Sequence, residues 1–484
     1  MTFTRSLLLG CAILIGAAGL AQAADLPIRK AAPVDYVRVC DFTGSGFFYI
    51  PGTDTCLELG AYVRIEGDFI SGSRALTPVP GAPGRAPGVA SIINPGRDRD
   101  DTGFLSRTRL FVDTRTETAY GTLRTYIQYQ VDRVQGLYSE GGLSGGANTL
   151  TNSGGNNAAL RRGFIQFAGI TAGRVQSFFD FYADNYNYEG IANSDIQQNV
   201  FAYTYNAAGG LSATLSVEDR NARNLSQGVG SILGGANAVN SAVRYGGETI
   251  PDIVGVLRAD QGWGSAQLSA AYHEIQTTQG PFAGTSGQGF SGQDANGFAV
   301  QGGVRLKLPM LAAGDDLWVE GAYQQGAYLY QDSGYFLNQG FTSSALGGFQ
   351  HIDRDAIAIH TPGTAASAYS LQMGEGFSVM AAFNHYFTAN FHDVLFGSYE
   401  QTSYGKAKTI DWTEGGLGDG SEYRIGNQFL WDPVKNLEFG LEFDYMHIDQ
   451  TLAHNPGVAA TALPAGVEKD PTNYEVRLRA ERDF

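Results

Sequence analysis

"NYEVRLRAERDF" (473–484) ends the chain. From Tyr474 onward, apolar or aromatic residues occupy every second position except at Arg482, and the positions between them carry charges. A period of two residues indicates a β-strand whose two faces meet different surroundings. A soluble sheet with one face on a core and one in water would alternate in this way. A strand of a membrane barrel, with lipid outside and a wet interior, would do the same.

The same alternation recurs from residue 57 to the end of the chain. It is clear in "LELGAYVRIEGDF" (57–69) and in the stretches 122–132, 298–307 and 437–445. In the first stretch Leu57, Leu59 and Val63 lie on one face, and Glu58 and Arg64 lie on the other. Each stretch is about 10 residues long, which is the length of a tilted strand that crosses a bilayer.

The connections alternate between short turns and long segments rich in Gly and polar residues. Outer-membrane barrels show this asymmetry, because their periplasmic turns are short and their outer loops are long. The sequence therefore predicts an all-β fold: a transmembrane, antiparallel, up-and-down β-barrel of sixteen strands. A barrel of this size is too wide for side chains to fill, so its interior holds water. The strands are expected near 57–70, 104–117, 122–133, 159–168, 171–178, 200–206, 211–219, 251–259, 265–275, 297–307, 316–330, 371–386, 391–401, 421–431, 437–448 and 472–484.

Three of the four tryptophans, Trp263, Trp318 and Trp431, fall beside predicted short turns. An aromatic girdle at the periplasmic surface of the membrane would place them there. Burial in a core is the alternative, since Trp side chains are usually well buried.

The composition restricts the classes of function. The net charge of −16 argues against a nucleic-acid binder, which needs a basic face. No Gly-rich phosphate-binding loop follows a strand and opens a helix, so we predict no nucleotide cofactor. The seven His are scattered, and they show no spacing of a catalytic triad. His385 and His392 could meet across a short turn as a metal pair, but exposed turn residues are the favoured interpretation. The sequence therefore predicts neither a metal site nor an enzyme.

The N-terminal region has the pattern of an exported protein. Residues 1–23 combine a basic start, an apolar run and an A-x-A cleavage motif, which predicts a signal peptide cut after Ala23. Its removal takes Cys11 away and leaves Cys40 and Cys56, an even pair in an oxidising compartment, so we predict a disulfide. Residues 24–56 are then a periplasmic segment that holds this pair, and residues 57–484 form the barrel.

Several segments resemble the alphaproteobacterial porin family of the Rhizobiales type. They are "PVDYVRVCDFTGSGFFYIPGTDTCLELGAYVRIEGDF" (33–69), "RLFVDTRTETAYGTLRTYIQ" (109–128), "RRGFIQFAGITAGRVQSFFDFY" (161–182) and the terminal Phe484. The resemblance implies a homotrimeric general-diffusion porin in the outer membrane of a Gram-negative bacterium, surrounded by lipid and lipopolysaccharide. It also implies assembly by the barrel-insertion machinery and a third long loop that folds into the lumen. Phe484 would close the last strand on the first and serve as an assembly signal.

The third long loop, "FFDFYADNYNYEGIANSD" (178–195), is acidic and aromatic and contains neither Lys nor Arg. If it lies in the lumen, its aromatic rings can anchor it to the wall while its acids face water. Its acidic residues are Asp180, Asp184, Glu189 and Asp195. A solvated outer loop is the alternative reading of this segment.

Basic residues on the inward faces of the early strands and the last strand are expected opposite this loop. They are Arg64, Arg107, Arg109, Arg124, Arg162, Arg174, Arg477 and Arg479. Acids facing arginines would set up a transverse field, which hydrated solutes cross more easily than apolar ones. Pairing of these arginines along the wall with Glu58, Glu66, Asp113 and Glu117 is the alternative.

Three functions compete at this stage. The first is a porin for passive diffusion of small hydrophilic solutes and ions, with weak cation selectivity because the chain is acidic. The second is a substrate-specific channel, for example for sugars, because Tyr and Phe are abundant enough for an aromatic slide. The third is a barrel enzyme, which would need a nucleophile beside a His on one rim. We favour the first.

Overall fold

The structure, a computed structural model, describes most of the chain. The described residues are 38–40, 43–44, 46–70, 75–77, 91–93, 102–136, 156–223, 230–232, 246–277, 280–281, 289–290, 292–333, 355–360, 369–405, 419–450 and 472–484. The predicted signal peptide (1–23) lies outside them.

Sixteen long strands form one closed barrel. Each strand pairs antiparallel with the next along the chain, and the last pairs with the first from Tyr62↔Asp483 to Ile70↔Glu475. The predicted strand number and topology are confirmed. The strands are β1 (Thr55–Ile70), β2 (Thr102–Thr118), β3 (Gly121–Gly136), β4 (Asn156–Phe167), β5 (Ile170–Gln176), β6 (Gln197–Asn206), β7 (Leu211–Glu218), β8 (Asp252–Gln261), β9 (Gly264–Gln276), β10 (Asp294–Lys307), β11 (Asp316–Gln325), β12 (Glu375–Thr388), β13 (Phe391–Ser403), β14 (Gly420–Val434), β15 (Leu437–Gln450) and β16 (Thr472–Asp483).

Shorter elements accompany the barrel. Phe48–Tyr49 pairs with the start of β1. Small sheets contain Ala75–Thr77 with Ser91–Ile93, Gly280–Pro281 with Gly289–Phe290, and Gly230–Ile232 with Ala356–His360 and Tyr369–Met373. Among the residues that the structure describes, two short 3-10 helices span Arg220–Arg223 and Tyr328–Tyr330. No helix within the described part of the chain is long and apolar enough to cross a membrane.

The two faces of the barrel differ in chemistry. On β16, Tyr474 and Leu478 expose 54% and 59% of their surface, whereas Glu475 and Arg477 between them are buried. The other strands repeat this pattern, so the outer face is apolar and the inner face is polar. An outer wall of exposed apolar side chains is stable only in an apolar medium, and closure leaves no strand edge unpaired. The alternating sequence therefore forms a barrel suited to lipid.

The connections alternate in length around the barrel. Seven have two to eight residues: 119–120, 168–169, 207–210, 262–263, 308–315, 389–390 and 435–436. The others are longer and lie at the opposite end. Ala168 and Asn436 have positive φ in two of the tightest turns, a conformation those turns require.

Two strand limits differ from the prediction by more than three residues. The strand expected over 316–330 ends at Gln325, because Gly326 adopts a φ of 67° and the chain turns into the 3-10 helix Tyr328–Tyr330. The strand expected over 371–386 begins at Glu375, since Tyr369–Met373 pairs with Ala356–His360 in a separate small sheet.

The girdle prediction is wrong for one tryptophan. Trp263 and Trp431 expose 47% and 51% of their surface, but Trp318 exposes only 6%. Trp318 packs on the polar face against Phe181, with ring centroids 5.0 Å apart. The position beside a turn could not reveal which face the ring takes.

The predicted disulfide between Cys40 and Cys56 is present. It lies in a small buried cluster with Phe47, and Tyr49 packs against that cluster. The Arg115 guanidinium lies 4.5 Å from the centre of the Phe47 ring, so the cluster also contacts β2. Because β1 begins at Thr55, Cys56 lies inside the first strand, as its second residue. The bond therefore joins the N-terminal segment to the barrel wall.

We expect Cys40→Ser with Cys56→Ser to lower the free energy of unfolding by about 3 kcal/mol, because the bond closes a short loop in the unfolded chain. Channel conductance should persist, since the bond lies at one rim. Urea unfolding in detergent and single-channel recording test this. Equal unfolding midpoints for the variant and the wild type would contradict the expectation.

Candidate functional site

The third long connection, residues 177–196, lies against the polar face of distant strands. Three glutamates of the wall accept hydrogen bonds from its backbone N–H groups. Glu218 of β7 accepts from Phe178 at 3.1 Å, and Glu320 of β11 accepts from Tyr182 at 2.9 Å. Glu442 of β15 accepts from Tyr188 at 2.7 Å and from Glu189 at 2.8 Å. These bonds satisfy backbone donors that a connection without regular structure leaves unpaired.

Aromatic side chains of this connection pack against the same wall. Phe181 and Tyr182 contact Trp318 with ring centroids 5.0 and 5.5 Å away. Phe179 meets Tyr330 edge to face at 4.7 Å. The rings are buried together with aliphatic residues of β12 and β13. The connection is therefore held by apolar contacts as well as by hydrogen bonds.

Two of the four acidic residues of the connection are neutralised by buried arginines. Asp180 lies 3.0 Å from the Arg223 guanidinium, and both side chains are fully buried. Glu189 pairs with Arg477, which also donates to the Tyr188 carbonyl at 2.9 Å. The expectation that the acids face water is wrong for Asp180 and Glu189, because an unpaired carboxylate would be costly at these positions.

The other two acids bond mainly to amides. Asp184 accepts from the Asn187 side chain at 2.9 Å and the Asn193 side chain at 2.6 Å. Asp195 accepts from the Gln176 amide at 2.7 Å. Both carboxylates are partly exposed, unlike Asp180 and Glu189. They remain the acids of this connection that solutes could meet.

The ionisation of Asp195 is disfavoured where it lies. Burial raises the pKa of Asp195 to about 8, and the charges of Asp184 and Asp180 act in the same direction. The Gln176 amide and the positive charge of Arg161 oppose the rise. Burial also raises the pKa of Asp184. The connection therefore carries less negative charge at neutral pH than its sequence indicates.

We expect cation preference to rise as the pH is raised through about 8, because Asp195 then ionises. Its folded-state pKa lies above the ordinary value of about 3.9. The free energy of unfolding should therefore fall as the pH rises between these values. Asp195→Asn should remove roughly half of the pH-dependent shift in reversal potential, since Asp184 also contributes. The control is Asp260→Asn, an exposed acid at a short turn. Equal pH responses of Asp195→Asn and wild type would contradict this.

Five of the eight predicted arginines form salt bridges along the wall or under the connection. Arg64 pairs with Glu481, Arg107 with Asp132 at 2.9 Å, and Arg124 with Asp113 at 2.9 Å. Arg479 lies 2.6 Å from Glu66, and Arg477 lies beneath Glu189. Arg109 and Arg162 form no salt bridge within the described residues. The expectation of an inward face is wrong for Arg174, because it lies opposite Gly163 and Asn199 on the outer face of the barrel. The eight therefore do not act as one set.

Two further arginines tie the connection to other parts of the barrel, and the sequence analysis missed both. Arg223, just after β7, donates to Ser194 at 2.7 Å and to the Leu329 carbonyl at 2.6 Å. Arg424 of β14 donates to the Gly190 carbonyl and to Asp332, each at 2.9 Å. Their partners come from loops far apart in the chain, so no local pattern could indicate them.

A second connection also contacts this assembly. Residues 327–333 are all buried, and the Ser333 backbone donates to the Asn193 carbonyl at 2.9 Å. The Tyr330 hydroxyl donates to Asp252 at 2.6 Å. The alternation of apolar and polar residues predicts that this stretch continues β11, so the sequence does not indicate its contact with residues 177–196.

One cluster of carboxylates has the spacing of a cation site. Oxygens of Asp332, Glu400 and Glu422 lie within 4.8 Å of one another. Arg424 pairs with Asp332 and Glu422, and Glu400 accepts from Tyr328 at 3.2 Å and from Gln331 at 3.0 Å. Because these donors already bond the oxygens, we assign no metal to the cluster.

Comparison with known proteins decides the family. The model of a porin subfamily matches residues 25–476, which is most of the chain. The chain belongs to this porin family. The porin is 31% identical over 276 residues to Porin Omp2b of Brucella suis biovar 1 (strain 1330) and 32% identical over 276 residues to that of Brucella canis. Each match covers 56% of the porin and 66% of the relative, just under two thirds of the relative's length.

The fold of the porin also has a solved counterpart. It resembles the outer membrane channel DcaP of Acinetobacter baumannii with a TM-score of 0.57 and 14% sequence identity. The likeness covers 90% of the porin and 99% of DcaP. At this identity the comparison supports the sixteen-strand barrel and nothing finer.

Proposed function

We propose that the porin forms a water-filled channel for passive diffusion of small hydrophilic solutes and ions across the outer membrane of a Gram-negative bacterium. The observation that carries the proposal is the closed sixteen-strand barrel with an apolar outer face and a polar inner face. A barrel of this size leaves an aqueous interior. Membership in a porin family supports a channel rather than an enzyme.

We further propose that residues 177–196 narrow the channel from inside. Their bonds to Glu320 and Glu442 on the polar face, together with buried Arg223, support this location. The narrowing also involves residues 327–333. Weak cation selectivity remains part of the proposal, because buried and half-buried acids of the wall outnumber its arginines. Its size depends on Asp184 and Asp195, the two partly exposed acids of the connection.

The channel is proposed to act as a homotrimer in contact with outer-membrane lipid and lipopolysaccharide, inserted by the barrel-assembly machinery. The broad band of exposed apolar side chains around the barrel supports both lipid contact and contact between copies. Family membership supports the trimer.

A substrate-specific channel for sugars is the second candidate, and one observation favours it. Phe111, Tyr126 and Phe164 form a row of stacked rings on neighbouring strands, with centroids 5.9 and 5.4 Å apart. Sugar rings stack on such rows. The aromatic rings of the connection 177–196 pack against the wall instead: Phe179, Phe181, Tyr182 and Tyr188 are buried, and Phe178 and Tyr186 are partly buried.

Liposome swelling with neutral solutes of graded size distinguishes the two candidates. We expect swelling rates to fall smoothly with solute size and to rise linearly with concentration. Saturation with one sugar would favour the specific channel. Absence of both swelling and ion conductance from correctly folded, heat-modifiable protein would overturn the proposal of a channel.

A further inference from the structure

A β-bulge in β4 places two consecutive arginines on one face of the barrel. In the pairing of β3 with β4, Gln128 lies opposite Arg162 and Tyr129 lies opposite Leu160, so Arg161 has no partner across the ladder. Leu160 is exposed on the apolar face, whereas Phe164, four residues on, stacks on Tyr126 on the polar face. Without the extra residue, both would share a face. Bulges re-aim side chains in this way, often at functional sites.

The bulge brings Arg161 to the polar face beside other arginines. The charge of Arg161 acts on Arg109 of β2, and Arg109 lies opposite Gln130, two residues from Gln128, the partner of Arg162. Three guanidinium groups from two strands therefore meet in one region of the polar face: Arg109, Arg161 and Arg162. Arg174 of β5 lies opposite Gly163 and Asn199 on the outer face and does not belong to this group.

None of these three arginines has a carboxylate within salt-bridge distance in the part of the chain that the structure describes. Arg109 donates to the Gln130 amide oxygen at 3.1 Å, a neutral acceptor. Within the described residues, neither a hydrogen bond nor a salt bridge holds Arg161 or Arg162. Neighbouring Arg107 and Arg124, by contrast, each have an aspartate at 2.9 Å. Crowded guanidinium groups without a bonded counter-charge attract an anion.

Unused hydrogen-bond donors point to the same ligand. The Nε atoms of Arg161 and Arg162 are buried and have no acceptor in the described structure. The Tyr62 hydroxyl is likewise buried without a partner, and its ring lies 5.0 Å from the Arg109 guanidinium. Buried donors without acceptors are costly, and an oxyanion supplies acceptors for all of them.

We propose that Arg109, Arg161 and Arg162, with the Tyr62 hydroxyl, form a binding site for small solutes that carry two or more negative charges on carboxylate or phosphate groups. The planar guanidinium binds both kinds of oxyanion with two parallel hydrogen bonds. The site rests on the proposed channel, because solutes reach the polar face only through the lumen. It adds a saturable step for polyanions to a channel that otherwise passes solutes by size.

The site is compatible with weak cation selectivity for monovalent ions. Selectivity in a salt gradient reflects the summed charge of the lumen, whereas a polyanion responds to the local group of arginines. Asp195 is the acid whose charge reaches Arg161. An ionised Asp195 would compete with the solute, so the measurement belongs at about pH 6 to 7.

Block of potassium current through single channels in planar bilayers tests the site, with citrate and inorganic pyrophosphate as separate probes and erythritol as a neutral control. We expect each polyanion to reduce the current to a saturating level at millimolar concentration, and erythritol to have no saturable effect. Arg161→Gln with Arg162→Gln should raise the half-blocking concentration about tenfold. Arg161→Lys with Arg162→Lys keeps the charge but loses the planar guanidinium that makes two parallel hydrogen bonds. This variant should raise the half-blocking concentration by a smaller factor.

Arg115→Gln is the matched control. Arg115 lies on the same strand and face as Arg109, but pairs with Asp113 at 2.9 Å and should leave the block within about twofold of wild type. Linear, unsaturable effects of both polyanions on wild type would overturn the inference while leaving the channel intact. Equal block of the wild type and the double glutamine variant would also overturn it. Block by only one of the two probes would restrict the site to that oxyanion. Loss of potassium conductance in the wild type would instead contradict the proposed channel.

Discussion

Arg477→Gln should release the tip of the connection 177–196 and lower the free energy of unfolding by about 3–5 kcal/mol, the cost of breaking a buried ion pair. The Arg477 side chain is fully buried and pairs with Glu189 and Glu475. Its loss leaves three carboxylates, those of Asp68, Glu189 and Glu475, without their shared cation, and the Tyr188 carbonyl without its donor. We expect higher single-channel conductance with larger fluctuations, together with a lower temperature at which the folded protein unfolds in detergent.

The control for this variant is Arg482→Gln. Arg482 lies on the same strand but bonds only to backbone carbonyls of an exposed turn, Lys435 at 2.7 Å and Asn436 at 2.8 Å. Its replacement should change stability by no more than about 0.5 kcal/mol and leave conductance unchanged. If Arg477→Gln conducts and unfolds like the control, Arg477 does not hold the connection in place.

Deleting Phe484 should reduce the amount of folded protein in the outer membrane several-fold. The backbone of Phe484 exchanges two hydrogen bonds with Ala61, at 2.8 and 2.9 Å, where the last strand closes on the first. Two such bonds contribute about 2 kcal/mol, and changes of that size alter abundance several-fold in cells. The ring itself exposes 68% of its surface, so packing inside the barrel does not explain its presence. Quantifying heat-modifiable, detergent-resistant protein tests the expectation.

Two substitutions separate the ring from the backbone at this position. Phe484→Tyr keeps an aromatic terminus and both backbone bonds, and should assemble like the wild type. Phe484→Ala keeps the bonds but removes the ring, so a shortfall in this variant assigns the assembly signal to the aromatic side chain. Wild-type levels of the deletion variant would rule out a role for the terminal residue in assembly.

The fold was predictable because a strand with one face in lipid and the other in water alternates apolar and polar residues with a period of two. The strand 437–448 could be recognised from Leu437, Phe439 and Leu441 alone, and it forms as β15. Prediction failed where the period misleads. The alternating pattern continues past Gly326 and so predicted a strand over 316–330 that is too long. The position of Trp318 beside a turn indicated a girdle residue, although its side chain is buried.

The site was less predictable because its partners come from distant parts of the chain. Asp180 and Arg223 are separated by 43 residues and Glu189 and Arg477 by 288, so nothing local indicated that these acids are neutralised. The sequence analysis missed Arg161 for another reason. Strict alternation from Arg162 places Arg161 on the lipid-facing side of the strand, and only the register of β3 with β4 reveals the bulge that turns it inward.

The bond between the Tyr188 backbone and Glu442 also constrains the order in which the channel matures. The two residues are 254 positions apart, and Glu442 lies on the second-last strand to leave the ribosome. The tip of the connection cannot dock until that strand has joined the wall, however early the preceding strands are in place. The narrowing proposed above is therefore a late event in biogenesis. A chain stalled before its C-terminal strands insert should therefore conduct more than the finished channel. Degradation of incomplete barrels would prevent this leak.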